Sequence, residues 1–140
     1  RGAKLYRVDI ASGQIALVTD DEPMPVSVVE NLTLDDASIS VAAVEHALRR
    51  VGLAAVVHRM DEGLDASLAP GFHELSSGER RRLALARALL QRPRLLLIDG
   101  WDGLDIEMLA GCEATIIATS DRPVAGPFHR FELSTTKEAA

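Results

Sequence analysis

Three short stretches of this chain lack the polar interruptions expected of a strand with one wet face, and that limits the fold more than anything else. Ile15-Ala16-Leu17-Val18 is apolar throughout, as is the middle of RLLLID (Arg94–Asp99), and ATIIAT (Ala114–Thr119) is of the same kind. Such runs suit strands of a parallel sheet covered on both faces. Parallel neighbours cannot be joined by a hairpin; they need long crossovers, usually helical.

Helical spacing does lie between the runs. From Ser27 to about Met60, Val41, Val44, Ala47, Leu48 and Val51 mark one face, Glu45, Arg49 and Arg50 mark the other, and Gly52 is placed to end the helix. A second helix is expected from about Ser76 to Gln91, with Leu83, Leu85, Ala86, Leu89 and Leu90 inward and Pro93 just beyond its end. Ser76 followed by Glu79 has the spacing of a capping box, in which the serine hydroxyl and the glutamate carboxylate each bond the other's backbone N–H. Further strands are expected at Lys4–Asp9, at Gln14–Thr19 around the first apolar run, and at Phe128–Leu133 on an edge. Alternation of strands with helices predicts a layered α/β fold.

Composition narrows the function. At 140 residues, 47% apolar and 26% charged, the chain has the balance of one globular domain. Its net charge of −6 is spread without long like-charged runs, which speaks against a nucleic-acid partner. Arg80, Arg81 and Arg82 are the one basic cluster, and they fall within the second helix. A lone cysteine, Cys112, makes no internal disulfide framework. His46, His58, His73 and His129 lack metal-ligand spacing. No apolar run reaches the roughly 18 residues that span a bilayer, so any membrane work would fall to a partner or to another segment.

Chemistry concentrates between residues 75 and 105. A helix that begins at Ser76 to Gly78 points free backbone N–H groups and the positive end of its dipole at whatever lies before it, a ready place for an anion. Asp99 closes an apolar strand, and a carboxylate at the C-terminal edge of a parallel sheet is well placed to hold magnesium-bound water. Read alone, S-x-x-E is an ordinary cap and Asp99 an ordinary strand-end acid.

Read together, Leu75-Ser76-Ser77-Gly78-Glu79 and the following RRRLALARALLQRPRLLLID resemble the signature motif of ATP-binding-cassette (ABC) ATPase domains, LSGGQ, followed by its arginine-bearing helix and the Walker B strand. The register holds for about twenty-five residues, with Ser77 and Glu79 in place of glycine and glutamine. The resemblance makes Asp99 the Walker B aspartate and Gly103-Leu104-Asp105 the D-loop, one residue closer than usual. IALVTDDEP resembles the strand and Q-loop, with Asp20, or Thr19 on a shifted gap, where glutamine would stand. SVVENL and GLDASLAPGFHELSSGE resemble exporter-type stretches.

This resemblance implies a partial P-loop NTPase (RecA-like) parallel sheet with an inserted ABC helical subdomain. The core and Q-loop would take residues 1–26, the helical subdomain 27–74, and the signature helix, Walker B, D-loop and switch strand 75–140. ATP would lie between Leu75, Ser76, Ser77, Gly78, Glu79 and Asp105 and the P-loop of a second ABC ATPase domain in a head-to-tail dimer. Magnesium would be held through Asp99 and Asp20. A transmembrane domain would be the other partner, at the cytoplasmic face of a membrane. Three positions depart from the pattern. Gly100 stands where the water-polarising glutamate belongs, Ser120 where the switch histidine belongs, and Asp20 at the Q-loop. No G-x-x-x-x-G-K-[ST] occurs in the chain, so it is expected to begin downstream of the phosphate-binding loop and to be inactive alone. The alternative is a degenerate, non-catalytic module lending its signature surface to a partner's ATP site. A sheet lacking its P-loop strand is also expected to leave apolar surface uncovered and to self-associate.

Overall fold

The structure, a computed structural model, describes residues 14–130. In chain order the elements are β1 (Ile15–Val18), α1 (Val28–Thr33), α2 (Val41–Arg50), α3 (Ala54–His58), a 3-10 turn (Gly63–Asp65), α4 (Ser77–Leu90), β2 (Leu95–Ile98), a second 3-10 turn (Ile106–Leu109) and β3 (Thr115–Ala118). The three apolar runs are the three strands. They pair in parallel in the order β1-β2-β3, with Leu17, Leu97 and Ile117 in one row and Val18, Ile98 and Ala118 in the next. The Lys4–Asp9 expectation lies outside the described residues. So does most of Phe128–Leu133, and its described part, residues 128–130, is not strand. Phe128 instead sets its ring edge-on to Trp101, centroids 5.6 Å apart.

The long helical stretch after Ser27 is three helices, because the backbone leaves the helical region twice. Leu34 and Asp35 adopt φ of 52° and 62°, and Gly52 adopts 71°. At the second break Leu53 N–H reaches back to the Leu48 carbonyl at 2.9 Å, the closing bond of a glycine-terminated helix. α1 carries its own capping box, Ser27 with Glu30, which closes a chain entry that Val28 N–H and Leu68 N–H pin to the Ala66 and Val26 carbonyls.

α4 is the pillar of the core. Leu83, Leu85, Ala86 and Ala88 are buried along it, against Ala16, Val18, Leu96 and Ile98 of the sheet and Val44, Ala47 and Leu48 of α2. The opposite face of the sheet corrects the expectation of cover on both sides. Ile15, Leu17 and Ile117 are 46%, 61% and 54% exposed, while Leu95 is buried. Their unbroken apolar pattern fits a face built to be covered, and none of the described helices lies over it. We expect Leu17→Lys with Ile117→Lys to change stability by no more than about 0.5 kcal/mol, as for other exposed positions. Light scattering should show the double variant less associated than the parent at equal concentration.

Candidate functional site

The α4 N-terminus forms the capping box its sequence predicts. Ser76 is the cap residue; its hydroxyl accepts from Glu79 N–H at 3.2 Å, and the Glu79 carboxylate accepts from Ser76 N–H at 2.8 Å and from the Ser76 hydroxyl at 3.0 Å. Those bonds, the backbone one foremost, hold the Glu79 carboxyl below the usual carboxylate range. Ser76 and Ser77 are exposed and Gly78 half-buried, so the turn opens to solvent. The amides of Ser77 and Gly78, the first two of the helix, have no intrahelical acceptor. An anion arriving here meets them together with a carboxylate already seated.

The chain after β2 returns to this turn. A 14-residue helix followed by a parallel strand carries it down and back, which brings the end of β2 beside the start of α4. Contact is backbone to backbone: a Cβ on Gly103 would lie 2.7 Å from the Gly78 Cα, and Gly103 has φ of 81°. The Asp105 carboxylate caps the following 3-10 turn through Glu107 N–H at 3.0 Å.

Asp99 is exposed at the end of β2, and its Oδ1 accepts from the Thr119 hydroxyl at 3.1 Å. The same hydroxyl accepts from Gly100 N–H at 2.9 Å, which ties the ends of β2 and β3 together. Ser120 spends its own hydroxyl locally, donating to the Arg122 carbonyl at 2.7 Å. Thr19 is likewise engaged by Asp21 within its own turn.

Asp20 is held from α4 by two arginines. Arg80 Nε donates to its backbone carbonyl at 2.7 Å, and Arg81 Nη2 lies 3.3 Å from its carboxylate. Arg81 Nη1 also donates to the Asp102 carbonyl at 2.7 Å. The third member of the cluster, Arg82, bonds the Gly78 and Gly52 carbonyls. A basic run that sequence alone assigned merely to a helix thus stitches three loops to that helix. Arg81 and Thr119 are the site residues sequence reasoning missed. One signal for Arg81 was its place four residues before Leu85, on the same buried side of the helix, where a charge needs partners.

Comparison with known proteins supplies the frame for this geometry. Residues 3–102 match the family model described as ABC transporter. The chain belongs to that family. It is 34% identical over 89 residues to the multidrug resistance protein pgp-1 of Caenorhabditis elegans, an alignment that takes in 61% of this chain and 7% of that protein. It is 40% identical over 103 residues to the glutathione/L-cysteine transport system ATP-binding/permease protein CydC of Escherichia coli, covering 66% and 18% respectively. It is also 30% identical over 130 residues to the ABC transporter ATP-binding protein YwjA of Bacillus subtilis, covering 91% and 22%. The chain therefore spans less than a quarter of the length of these relatives. Among the described residues no helix is long and apolar enough to cross a membrane.

ABC domains as a family use ATP and magnesium. For magnesium, the donor set here fits poorly. Asp99 offers one exposed carboxylate, but the Asp20 carboxylate is paired with a guanidinium, and among the described residues no three His, Cys, Asp or Glu side chains converge. Hard divalent ions take several oxygen ligands, and a fixed positive charge beside one of them repels the ion.

Proposed function

We propose that this chain is part of an exporter-like ABC transporter subunit that couples ATP binding and hydrolysis to transport, and that its contribution to ATP is the signature surface. The observation that carries this reading is the open turn at Ser76, Ser77 and Gly78, packed backbone to backbone on Gly103 of the loop after β2. In this reading Leu75, Ser76, Ser77, Gly78, Glu79 and Asp105 face a triphosphate held by the P-loop of a second ABC domain, docked head to tail. Residues 1–26 and 75–140 belong to the P-loop NTPase core, and residues 27–74 form the inserted helical subdomain. The second partner is a transmembrane domain, which puts the chain at the cytoplasmic face of a membrane. Asp99 keeps the Walker B role; Asp20 is not carried forward as a metal ligand.

A second reading is favoured by one specific contact: Gly100 lies beneath the Arg81 guanidinium, so the position of the hydrolytic glutamate is closed as well as vacant of a carboxylate. The chain would then be a non-catalytic module whose signature surface completes a partner's site. In both readings the chain alone turns over no ATP. Loss of one transition-state contact typically costs about 10²–10³ in rate, and Gly100 and Ser120 remove two.

Purified chain should give no magnesium-dependent phosphate release, and Asp99→Ala should not alter that background. It should be retained by an immobilised P-loop-bearing ABC domain when ATP is present, and Ser76→Arg should abolish retention. Turnover that Asp99→Ala destroys would refute the silent own face; retention indifferent to both ATP and Ser76→Arg would refute the signature surface. Stimulated turnover by the mixed pair with an unaltered transport partner favours the coupled subunit. ATP-dependent docking without transport favours the lending module.

A further inference from the structure

Arg81 is a buried charge to which the readings above give no role beyond filling the space over Gly100. The residue is 8% exposed, in the second turn of α4. Its guanidinium lies between the loops that follow β1 and β2: Nη2 is 3.3 Å from the Asp20 carboxylate, Nη1 donates to the Asp102 carbonyl at 2.7 Å, and the Nε is buried without a hydrogen-bond partner among the described residues. The flat of the group rests on Gly100. A Cβ at that position would stand 2.8 Å from Nη2, 3.2 Å from Cζ and 3.4 Å from Nε, and the φ of 88° there independently favours glycine. Side chains at 100 and the guanidinium of Arg81 therefore compete for one volume.

We propose that Arg81 is the resident cation of this chain's own site, taking the place of a divalent metal. It answers one carboxylate and one carbonyl oxygen, the same ligand types a magnesium ion takes, and it does so covalently tethered and permanently charged. A metal brought to Asp20 would have to expel the guanidinium into a setting where it leaves a buried charge unpaired. Gly100 is what makes room for it, so the absent glutamate and the buried arginine are two sides of one arrangement. Arg81 positions rather than catalyses: it ties the loop after β1 to the loop after β2 with a planar fork that a point-charge ammonium cannot reproduce.

Because it rests on the Arg81 contacts and not on the signature turn, the proposal can fail while the docking reading stands. Its test is titration of the full chain with Mn2+ alone, followed by water-proton relaxation and by thermal melting. Parent protein should show no saturable Mn2+ uptake up to millimolar concentration and a melting temperature that Mn2+ and EDTA leave within about 1 °C. Arg81→Gln should melt several degrees lower and gain a saturable Mn2+ response, which Asp20→Asn in the same chain removes. Arg81→Lys should restore metal indifference without restoring the melting temperature, since one ammonium cannot serve Asp20 and the Asp102 carbonyl together. Folded Arg81→Gln with no Mn2+ response would overturn the proposal. Should that variant not fold, the parent and Asp20→Asn decide: saturable Mn2+ uptake by the parent that Asp20→Asn weakens assigns Asp20 to a metal and sinks the idea, whereas Asp20→Asn that only lowers the melting temperature upholds it.

Discussion

Asn31→Ala is expected to lower stability by about 2–4 kcal/mol, because it empties a fully buried polar position and removes the partner of several half-buried groups at once. Asn31 lies wholly inside, on α1. Its Nδ2 donates to the carbonyls of Met24 and Ser27, each at 3.0 Å; its Oδ1 accepts from Met24 N–H at 3.0 Å and from Arg87 Nη2 at 2.9 Å. Arg87 also donates from Nε to the Asn31 carbonyl, so one amide joins the loop after β1, the start of α1 and the last turn of α4. Burial already pulls the Arg87 pKa down, a sign that its charge sits where little else can solvate it. Alanine strands part of that charge and the Met24 backbone groups together. Urea midpoints should fall with an unchanged slope. Arg87→Met, which keeps an apolar stem and deletes the charge, should cost less. A double-mutant cycle of the two should return a coupling above about 0.5 kcal/mol. Additive losses would mean that the amide and the guanidinium act independently.

What sequence could disclose here was whatever rests on local pattern. The strands were legible because IALV, LLLI and TIIA lack alternation, and α4 because Ser76 and Glu79 announce its start while Pro93 follows its end. Gly52 was legible as a helix stop for the same kind of reason: its φ of 71° is one that glycine reaches at no steric cost. The break after α1 was not legible, since Leu34 and Asp35 take left-handed φ in a stretch whose residues do not advertise it; there tertiary contacts prevail over local preference. The bare face of the sheet was legible only indirectly: the apolar runs state what a strand can bury and not whether anything lies over it, and the expectation of uncovered apolar surface came from the missing phosphate-loop motif, not from the runs.

At the site, the meeting of the Ser76 to Gly78 turn with the loop after β2 was legible through register: a helix, a short connection and a parallel strand must bring their far ends together. The fates of individual charges were not. Asp20 read as a metal ligand through the resemblance of IALVTDDEP to the strand and Q-loop, yet Arg81, sixty-one residues along, claims its carboxylate. Three successive arginines look equivalent in a sequence. Only their angular placement on α4 sends Arg80 to the Asp20 backbone, Arg81 beneath the loop after β2, and Arg82 toward Gly52.

Gly103→Ala should be the other large effect, about 2–5 kcal/mol of stability, and it tests the joint on which the signature turn rests. Two costs combine. At φ of 81° a Cβ is strained by about 1–2 kcal/mol, and this one would point at the Gly78 Cα from 2.7 Å, with the Gly78 carbonyl carbon and oxygen each at 3.4 Å. Backbone cannot rotate aside as a flexible side chain would, so relief requires that the loop after β2 lift away from α4, at an overpacking cost of about 1–3 kcal/mol. Lifting stretches the Arg81 bond to the Asp102 carbonyl as well. Gly111→Ala is the matched control. Its φ of 72° carries similar strain, but a Cβ there meets nothing within 4 Å. The difference in urea midpoint between the two variants therefore isolates the contact from the strain. Amide exchange should quicken at Ser77 to Glu79 in Gly103→Ala and stay at parent rates there in Gly111→Ala. Equal losses in the two variants would mean that the glycine pair does not hold the turn against the strand end, and the open N-terminus of α4 would then have to be positioned by its capping box alone.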